Sequence, residues 1–448
     1  MNPVSKLSRS ETLTSHRPAS LQGTFHVPGD KSISHRSMIL SAIAVGQTRV
    51  SGLLEGDDVM ATKQAMIDCG ADIIKQGDDY VINGVGMGGL SAPDKPLDLG
   101  NAGTGVRLLM GLIAGQSLSA TFVGDASLSK RPMRRITDPL EEMGAQVTTG
   151  EGGRLPVTIT GLETPLPVSY SPKVASAQIK SAILLAGLRA RGNTVVTEPH
   201  ISRDHTEAML RHFGVSVTQE MLENGAHRIT MTGGADLIAK NIAVPRDPSS
   251  AAFVIVAALI TQGSDVTLPA IGMNPQRTGL ITTLIEMGGD ITLSGHRIEG
   301  GEEVADIRVR SSKLRGINVP PARAASMIDE YPILSVAASM AQGTTMMTGV
   351  AELRVKETDR IAVMAAGLKA CGVDVTEGED FMSVTGGETP PMGDAVINSQ
   401  HDHRIGMSFL VLGMVSQAPI QVDDVETINT SFPAFADKMN AIGASIQS

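Results

Sequence analysis

Glu142-Met143-Gly144-Ala145 closes an apolar helical run, and an alternating apolar segment follows it. The same arrangement returns at Gly70, Gly214, Gly288, Gly372 and Gly443, at intervals of roughly 70 to 84 residues. A fixed period of that length means one small supersecondary unit, repeated six times. A second pattern recurs inside each copy. A helical run ends at Gly or a polar turn and gives way to a strand, as in Gly46-Gln47-Thr48-Arg49-Val50 and Gly192-Asn193-Thr194-Val195-Val196. Glycine beyond the last apolar helical position is a C-cap, and the β-branched residues after it favour a strand.

The unit therefore reads β-helix-β-helix-β-β. Its first helix is apolar nearly all round, as in Ser249-Ser250-Ala251-Ala252-Phe253-Val254-Ile255-Val256, and is expected to be buried. Its second is more amphipathic, as in residues 58–68, and is expected to face solvent. Six such units exceed one core, whereas three per domain gives about 220 residues each, an ordinary size. The boundary falls near Val244-Pro245-Arg246-Asp247. Residues before Val27 are free to return to the second domain.

Composition narrows the functional classes. The chain has 448 residues, 42% apolar and 19% charged, with a formal net charge of -10. The absence of Trp and an aromatic content of 2% argue against stacking platforms for single-stranded nucleic acid. The acidic balance argues against a phosphate-backbone binder, so no nucleic-acid partner is expected. Apolar runs such as Phe253–Ile260 fall short of a bilayer crossing, so no membrane partner is expected either. Cys69 and Cys371 each precede a repeat glycine and read as buried, reduced thiols, too few for a metal set. Residues 1–20 are Ser-rich and lack an apolar core, so they read as a disordered extension rather than a secretory signal. A short organelle-targeting piece is the alternative. The compartment read from this is the cytoplasm.

The starts of the buried helices are where the copies differ. Free N–H groups and the positive dipole end make a helix start an anion site. Pro28-Gly29-Asp30-Lys31-Ser32-Ile33-Ser34-His35-Arg36 leads into the first, and Gly100-Asn101-Ala102-Gly103-Thr104-Gly105-Val106-Arg107 into the second. The third starts near Ser176-Ala177-Gln178-Ile179-Lys180, the fifth at Asp329-Glu330-Tyr331-Pro332 and the sixth at Asp402-His403-Arg404. A cation on an apolar helix needs an anionic partner. For Lys31 and Arg36 an internal bridge to Asp30 or Asp57 would suffice. Because the problem recurs at Arg107, Lys180 and Arg404, a shared anionic ligand is the more economical reading.

Basic phrases also lie elsewhere in the units. Ser129-Lys130-Arg131-Pro132 and Arg203-Asp204-His205 each open a helix, with Asp204 in a capping position. In Arg354-Val355-Lys356-Glu357-Thr358-Asp359-Arg360, Lys356 and Arg360 stand four apart, and Glu357 can orient Arg360. A solvated, salt-bridged helix face is the plainer alternative there. The glycines of Gly100–Gly105 lack the ending of a nucleotide phosphate loop but allow backbone close to a ligand. Cations, hydroxyls at Ser32 and Ser176, the Gln178 amide and the acids Asp329, Glu330 and Glu357 together suit a small phosphate- and carboxylate-bearing ligand, or two.

At these residues the chain resembles the 5-enolpyruvylshikimate-3-phosphate synthase family of enolpyruvyl transferases, from about Leu21 to Ser448. The resemblance rests on Gly29-Asp30-Lys31-Ser32, Gly100-Asn101-Ala102-Gly103-Thr104, Lys130-Arg131-Pro132-Met133, Ser176-Ala177-Gln178, Asp329-Glu330, Arg354-Val355-Lys356-Glu357 with Asp359-Arg360, and Asp402-His403-Arg404-Ile405. It implies a two-domain inside-out α/β barrel of six βαβαββ units. Residues 27–244 would form the domain on the shikimate-3-phosphate side. Residues 1–26 and 245–448 would form the phosphoenolpyruvate side, with the active site between the domains. It implies transfer of the enolpyruvyl group of phosphoenolpyruvate to the 5-hydroxyl of shikimate 3-phosphate by addition–elimination, without a metal or organic cofactor. A monomer is the default expectation from the two-domain architecture.

The roles implied are specific. Lys31 serves both ligands and the proton transfers. Ser32, Arg36, Ser176, Gln178 and Lys356 match contacts to shikimate 3-phosphate. Asp329 takes or orients the 5-hydroxyl proton, and Glu357 handles protons at the methylene. Arg131, Arg360 and Arg404 hold phosphoenolpyruvate. Two departures stand out: Thr430 occupies a position where many members have lysine, and Ala177 replaces a second serine. Arg203 is expected to compensate at the substrate phosphate. These changes resemble the divergent bacterial branch of the family. Gly103 keeps the space a methyl group would fill, so inhibition by glyphosate is expected.

Two alternatives remain at this point. Enolpyruvyl transferases acting on UDP-N-acetylglucosamine typically carry a Cys in the loop matching Gly124–Arg131, and this chain has none there. A non-catalytic binder of phosphorylated metabolites would have little use for Asp329 and Glu357 beside its ligand.

Overall fold

The computed structural model describes residues 12–448. Among them, the strands form six four-stranded sheets, one for each repeat. Each sheet begins with a short strand paired in parallel with the next, as Ser169–Tyr170 pairs with Asn193–Glu198. Antiparallel pairs follow, as Asn193–Glu198 with His227–Thr232 and that strand with Val217–Met221. The βαβαββ reading of the repeat is thus the observed unit.

All six repeat glycines have positive φ, between 80° at Gly372 and 108° at Gly443. Each follows the C-cap of the second, outer helix of its unit, as Gly70 follows Cys69. A side chain at that φ is strained, so glycine ends the helix and turns the chain into the hairpin.

The chain divides into two compact units. The first comprises Pro28–Asp247 together with Arg297–Val304. Its buried helices are Lys31–Ala42, Gly103–Ala114 and Ala177–Gly187, and they enter one apolar core. The second comprises the segment ending at Val27 together with Pro248–His296 and Ala305–Ser448. Its buried helices are Pro248–Ile260, Tyr331–Ser339 and His403–Gly413, in a separate core. The outer helices bury one face only; in Asp57–Asp68 the buried side chains include Val59, Thr62, Ala65 and Met66.

The amino-terminal region departs from expectation. Thr12–His16 is a strand lying between Ile420–Asp423 and Ser445–Gln447. Gln22–Thr24 supplies the leading strand beside Asp265–Gly272. Residues 12–20 are therefore not a disordered extension. Leu13 packs against the core and Ser15 is fully buried, so a Ser- and Thr-rich stretch here is an inner strand with a small-residue face. The rest of the expected extension, residues 1–11, lies outside the described residues. No described helix is long and apolar enough to cross a membrane. Cys69 and Cys371 are buried free thiols, and burial pushes both up to about 11.

Candidate active site

In the first unit the three buried helices bring their starts together. Asp30 caps Lys31–Ala42, accepting from Ile33 N–H at 2.8 Å. The chain entering it is clamped by main-chain bonds from Asp30 N–H to Pro245 O and from Asp247 N–H to Pro28 O. Gly29 cannot carry a side chain, because a Cβ would collide with Gly52 O. Lys31 pairs with Asp58, and its N–H points to Asp247 Oδ2 at 3.4 Å. Of the expected acid partners, Asp30 serves the helix cap, and Asp58 rather than Asp57 takes the lysine.

Arg36 is buried and binds across the helices. Its Nε donates to Thr206 Oγ1 at 2.6 Å, Nη2 to Ser181 Oγ at 2.8 Å, and Nη1 to Ser32 O at 2.9 Å. The second and third helix starts join through Arg107 Nη1 to Gln178 Oε1 at 2.8 Å and Gln178 Nε2 to Thr104 Oγ1 at 3.0 Å. Ser176 is the N-cap of the third, and Ala177 is its first helical residue.

Arg131 reaches the second start as well, donating to Asn101 Oδ1 and, at 3.3 Å, to Ser127 Oγ. It does not open a helix as expected. Leu128–Lys130 is a single 3-10 turn, and the following helix begins at Arg134 because Pro132 interrupts the chain. Gly103 lies beneath these arginines: a Cβ there would sit 2.7 Å from Arg131 Nη1 and 3.1 Å from Arg107 Nη1. Arg203, partly exposed, precedes the helix His205–His212; Asp204 holds the capping position but its side chain makes no capping bond.

Lys180 is not a ligand-facing cation. Its side chain is fully buried, paired with Glu198 at 2.9 Å and Glu207 at 2.8 Å, both equally buried. Burial alone would push Lys180 down, but the two carboxylates outweigh it and the net direction is up. Burial dominates at Glu207 and pushes its carboxyl up. Sequence alone could not separate this private cluster from the other cations at helix starts, since the acids lie 18 and 27 residues away.

The second unit carries the other cluster. Arg360 is 1% exposed and is held by Asp402 at 2.8 Å, Glu357 at 2.6 Å and Asp329 at 3.2 Å. Burial would lower its pKa, but Asp402, Glu357 and Asp329 together raise it, so it stays charged. Arg404 Nη1 donates to Asp329 O at 3.2 Å and lies 3.5 Å from Glu330 Oε1. Asp402 also caps His403–Gly413 through Arg404 N–H at 2.9 Å, so one carboxylate fixes both arginines. The sequence phrase contained Asp402, but nothing in its pattern announced that second duty.

Glu357 orients Arg360 as its spacing suggests, although not on a helix. Lys356 follows the 3-10 turn Ala351–Val355, while the helix Arg360–Ala370 starts four residues later under an Asp359 cap. Lys356 and Arg360 therefore do not share a helical face. Lys356 is partly exposed and forms no ion pair among the described residues. Thr430 donates to Thr427 O at 2.7 Å and supplies no cation.

Each unit, built from three of the six repeats, gathers cations and acids at helix starts. The family model for EPSP synthase (3-phosphoshikimate 1-carboxyvinyltransferase) matches residues 16–439, and the chain belongs to that family. A 3-phosphoshikimate 1-carboxyvinyltransferase from a Ruegeria species is 57% identical over 437 residues, 97% of each chain. One from Parvibaculum lavamentivorans is 55% identical, again over 97% of each. EPSP synthase from Acinetobacter baumannii superposes with a TM-score of 0.87 at 48% identity, covering 98% of this chain and 100% of that one. The enolpyruvyl transferase NikO from Streptomyces tendae, at 16% identity, TM-score 0.75 and coverage of 98% and 99%, shares the fold. The chain is an enzyme of the shikimate pathway, and neither the UDP-N-acetylglucosamine reading nor the non-catalytic one is favoured.

Proposed function

We propose that the two clusters divide the labour of one addition–elimination, in which shikimate 3-phosphate and phosphoenolpyruvate give 5-enolpyruvylshikimate 3-phosphate and phosphate. Ser32, Arg36, Ser176, Gln178, Arg203 and Lys356 bind shikimate 3-phosphate, with Ala177 leaving the third helix start uncrowded. Arg360 and Arg404, with Arg131, hold the phosphate and carboxylate of phosphoenolpyruvate. Asp329 accepts the proton of the 5-hydroxyl as its oxygen attacks C2, while the methylene carbon is protonated through Glu357 and Lys31. Loss of phosphate together with a methyl proton then restores the double bond, so the step balances without an external oxidant or reductant.

The observation that carries this reading is the Arg360 cluster. A buried guanidinium faces two partly exposed carboxylates, Asp329 and Glu357, at 18% and 24% exposure. Anion-holding and proton-moving groups thus meet at one atom set. We read the working form as a cytoplasmic monomer.

Phosphate release from phosphoenolpyruvate, with and without shikimate 3-phosphate, tests the reading. Substrate-dependent release that is lost in Lys31→Ala and Glu357→Ala supports it. Release unaffected by both substitutions refutes the assignment of the site.

A further inference from the structure

Ser176 begins the helix Ala177–Gly187, and its main-chain N–H donates to Glu198 Oε1 at 3.1 Å. Glu198 is the last residue of the strand Asn193–Glu198 and is fully buried. Its two oxygens accept from Ser202 Oγ at 2.7 and 2.8 Å, and Oε2 accepts from Lys180 Nζ at 2.9 Å. Lys180 Nζ also reaches Ser202 O at 3.4 Å. Ser202 is the residue before Arg203.

One carboxylate therefore fixes two pieces of backbone that the sequence keeps apart: the helix start carrying Ser176 and Gln178, and the loop carrying Arg203. A carboxylate beside a phosphate site would ordinarily repel the ligand. Lys180, itself sealed from solvent, offsets that charge and leaves the geometry. Glu207 completes the charge cluster from the other side, at 2.8 Å from Lys180. It makes no bond to Ser176 or Ser202 among the described residues.

We propose that Glu198 is a positioning residue for shikimate 3-phosphate, holding the Ser176 helix start and the Arg203 loop at the separation that lets both meet one phosphate. This rests on the reading of Ser176 and Arg203 as ligands of that phosphate. Glu198 acts only through them and touches no reacting atom.

The test is a set of steady-state measurements on the full chain, varying each substrate separately, with thermal unfolding recorded alongside. Glu198→Gln is expected to raise the KM for shikimate 3-phosphate about tenfold, the scale of one lost charge-assisted hydrogen bond, and to leave the KM for phosphoenolpyruvate within about twofold. Glu207→Gln removes a carboxylate from the same lysine at the same burial, and is expected to leave both KM values within about twofold. Equal effects of the two substitutions, or no effect of Glu198→Gln, overturn the positioning role. Should Glu198→Gln not fold, Ser202→Ala deletes one anchoring hydroxyl and keeps every charge. Its expected rise is about threefold on shikimate 3-phosphate alone, and an unchanged KM overturns the proposal. Ser176→Ala and Arg203→Ala separate the two levels of inference. If neither raises the KM for shikimate 3-phosphate, the site reading fails and the proposal falls with it. If they do and Glu198→Gln does not, only the positioning role fails.

Discussion

Arg360, at the start of an outer helix, and Lys180, within a buried one, are both buried cations flanked by carboxylates, yet they differ in what surrounds them. Both are sealed, at 1% and 0% exposure, and both are outnumbered by carboxylates. The difference lies in the acids. Glu198 and Glu207 are as buried as the lysine they flank, so that cluster is closed on every side. Asp329 and Glu357 keep about a fifth of their surface, so the Arg360 cluster opens to whatever approaches. On the proposed assignment, exposure of two of its three counter-ions separates Arg360, a binding cation, from Lys180, a structural one, and a helix position alone does not.

That comparison is broken most directly at its two centres. Glu357→Gln keeps the volume and a hydrogen-bond acceptor for Arg360 but cannot carry a proton. Turnover is expected to fall by about 10²–10⁴ with the unfolding midpoint nearly unchanged. Assay by phosphate release decides it, and turnover near wild type would remove Glu357 from the proton path. Lys180→Met is expected to do the reverse. It strands two buried carboxylates and should cost about 3–5 kcal/mol in urea unfolding. A stability loss near zero would show that the cluster is not sealed.

The contrast also explains what could be read from the chain. The repeat was legible because each unit must end its outer helix at a glycine and resume a strand, and all six glycines do so with positive φ. The phrases around Lys31, Gly103, Ser176, Asp329, Glu357 and Arg404 were legible because helix starts and clustered charges are local signals. Partners distant in sequence were not. Asp58, Asp402 and Glu198 belong to other elements, and only the sheets and helices decide which cation each one reaches. The strand Thr12–His16 was hidden for a related reason. Its small polar residues look like a tail until Ser15 is seen beneath Gly413, whose hypothetical Cβ would lie 2.7 Å from Ser15 Cβ.

Gly103 offers a test at another pair of arginines, Arg131 and Arg107 of the first unit. A methyl group there would press on Arg131 and Arg107, so at least one guanidinium must shift. For Gly103→Ala, the glyphosate inhibition constant is expected to rise about tenfold or more, and the KM for phosphoenolpyruvate only a few-fold. Weak inhibition of the wild type, little changed by the substitution, would sink the steric argument.

The smallest effect tests the closed side, through Glu207. Burial pushes its carboxyl above the ordinary value of 4.5, so the folded protein holds that proton more tightly than the unfolded chain. By linkage, the stabilisation from the protonated form is present below the unfolded value and is lost as pH rises through the folded one. Glutamine mimics the protonated side chain and has no such loss. The stability of Glu207→Gln relative to wild type is therefore expected to improve as pH is raised from about 4.5 towards neutrality, by at most about 1.4 kcal/mol per pH unit. Urea unfolding at several pH values in that range reads the slope directly. Parallel profiles for variant and wild type would mean that Glu207 is stably ionised beside Lys180. The closed cluster would then resemble the open one in charge and differ from it only in access.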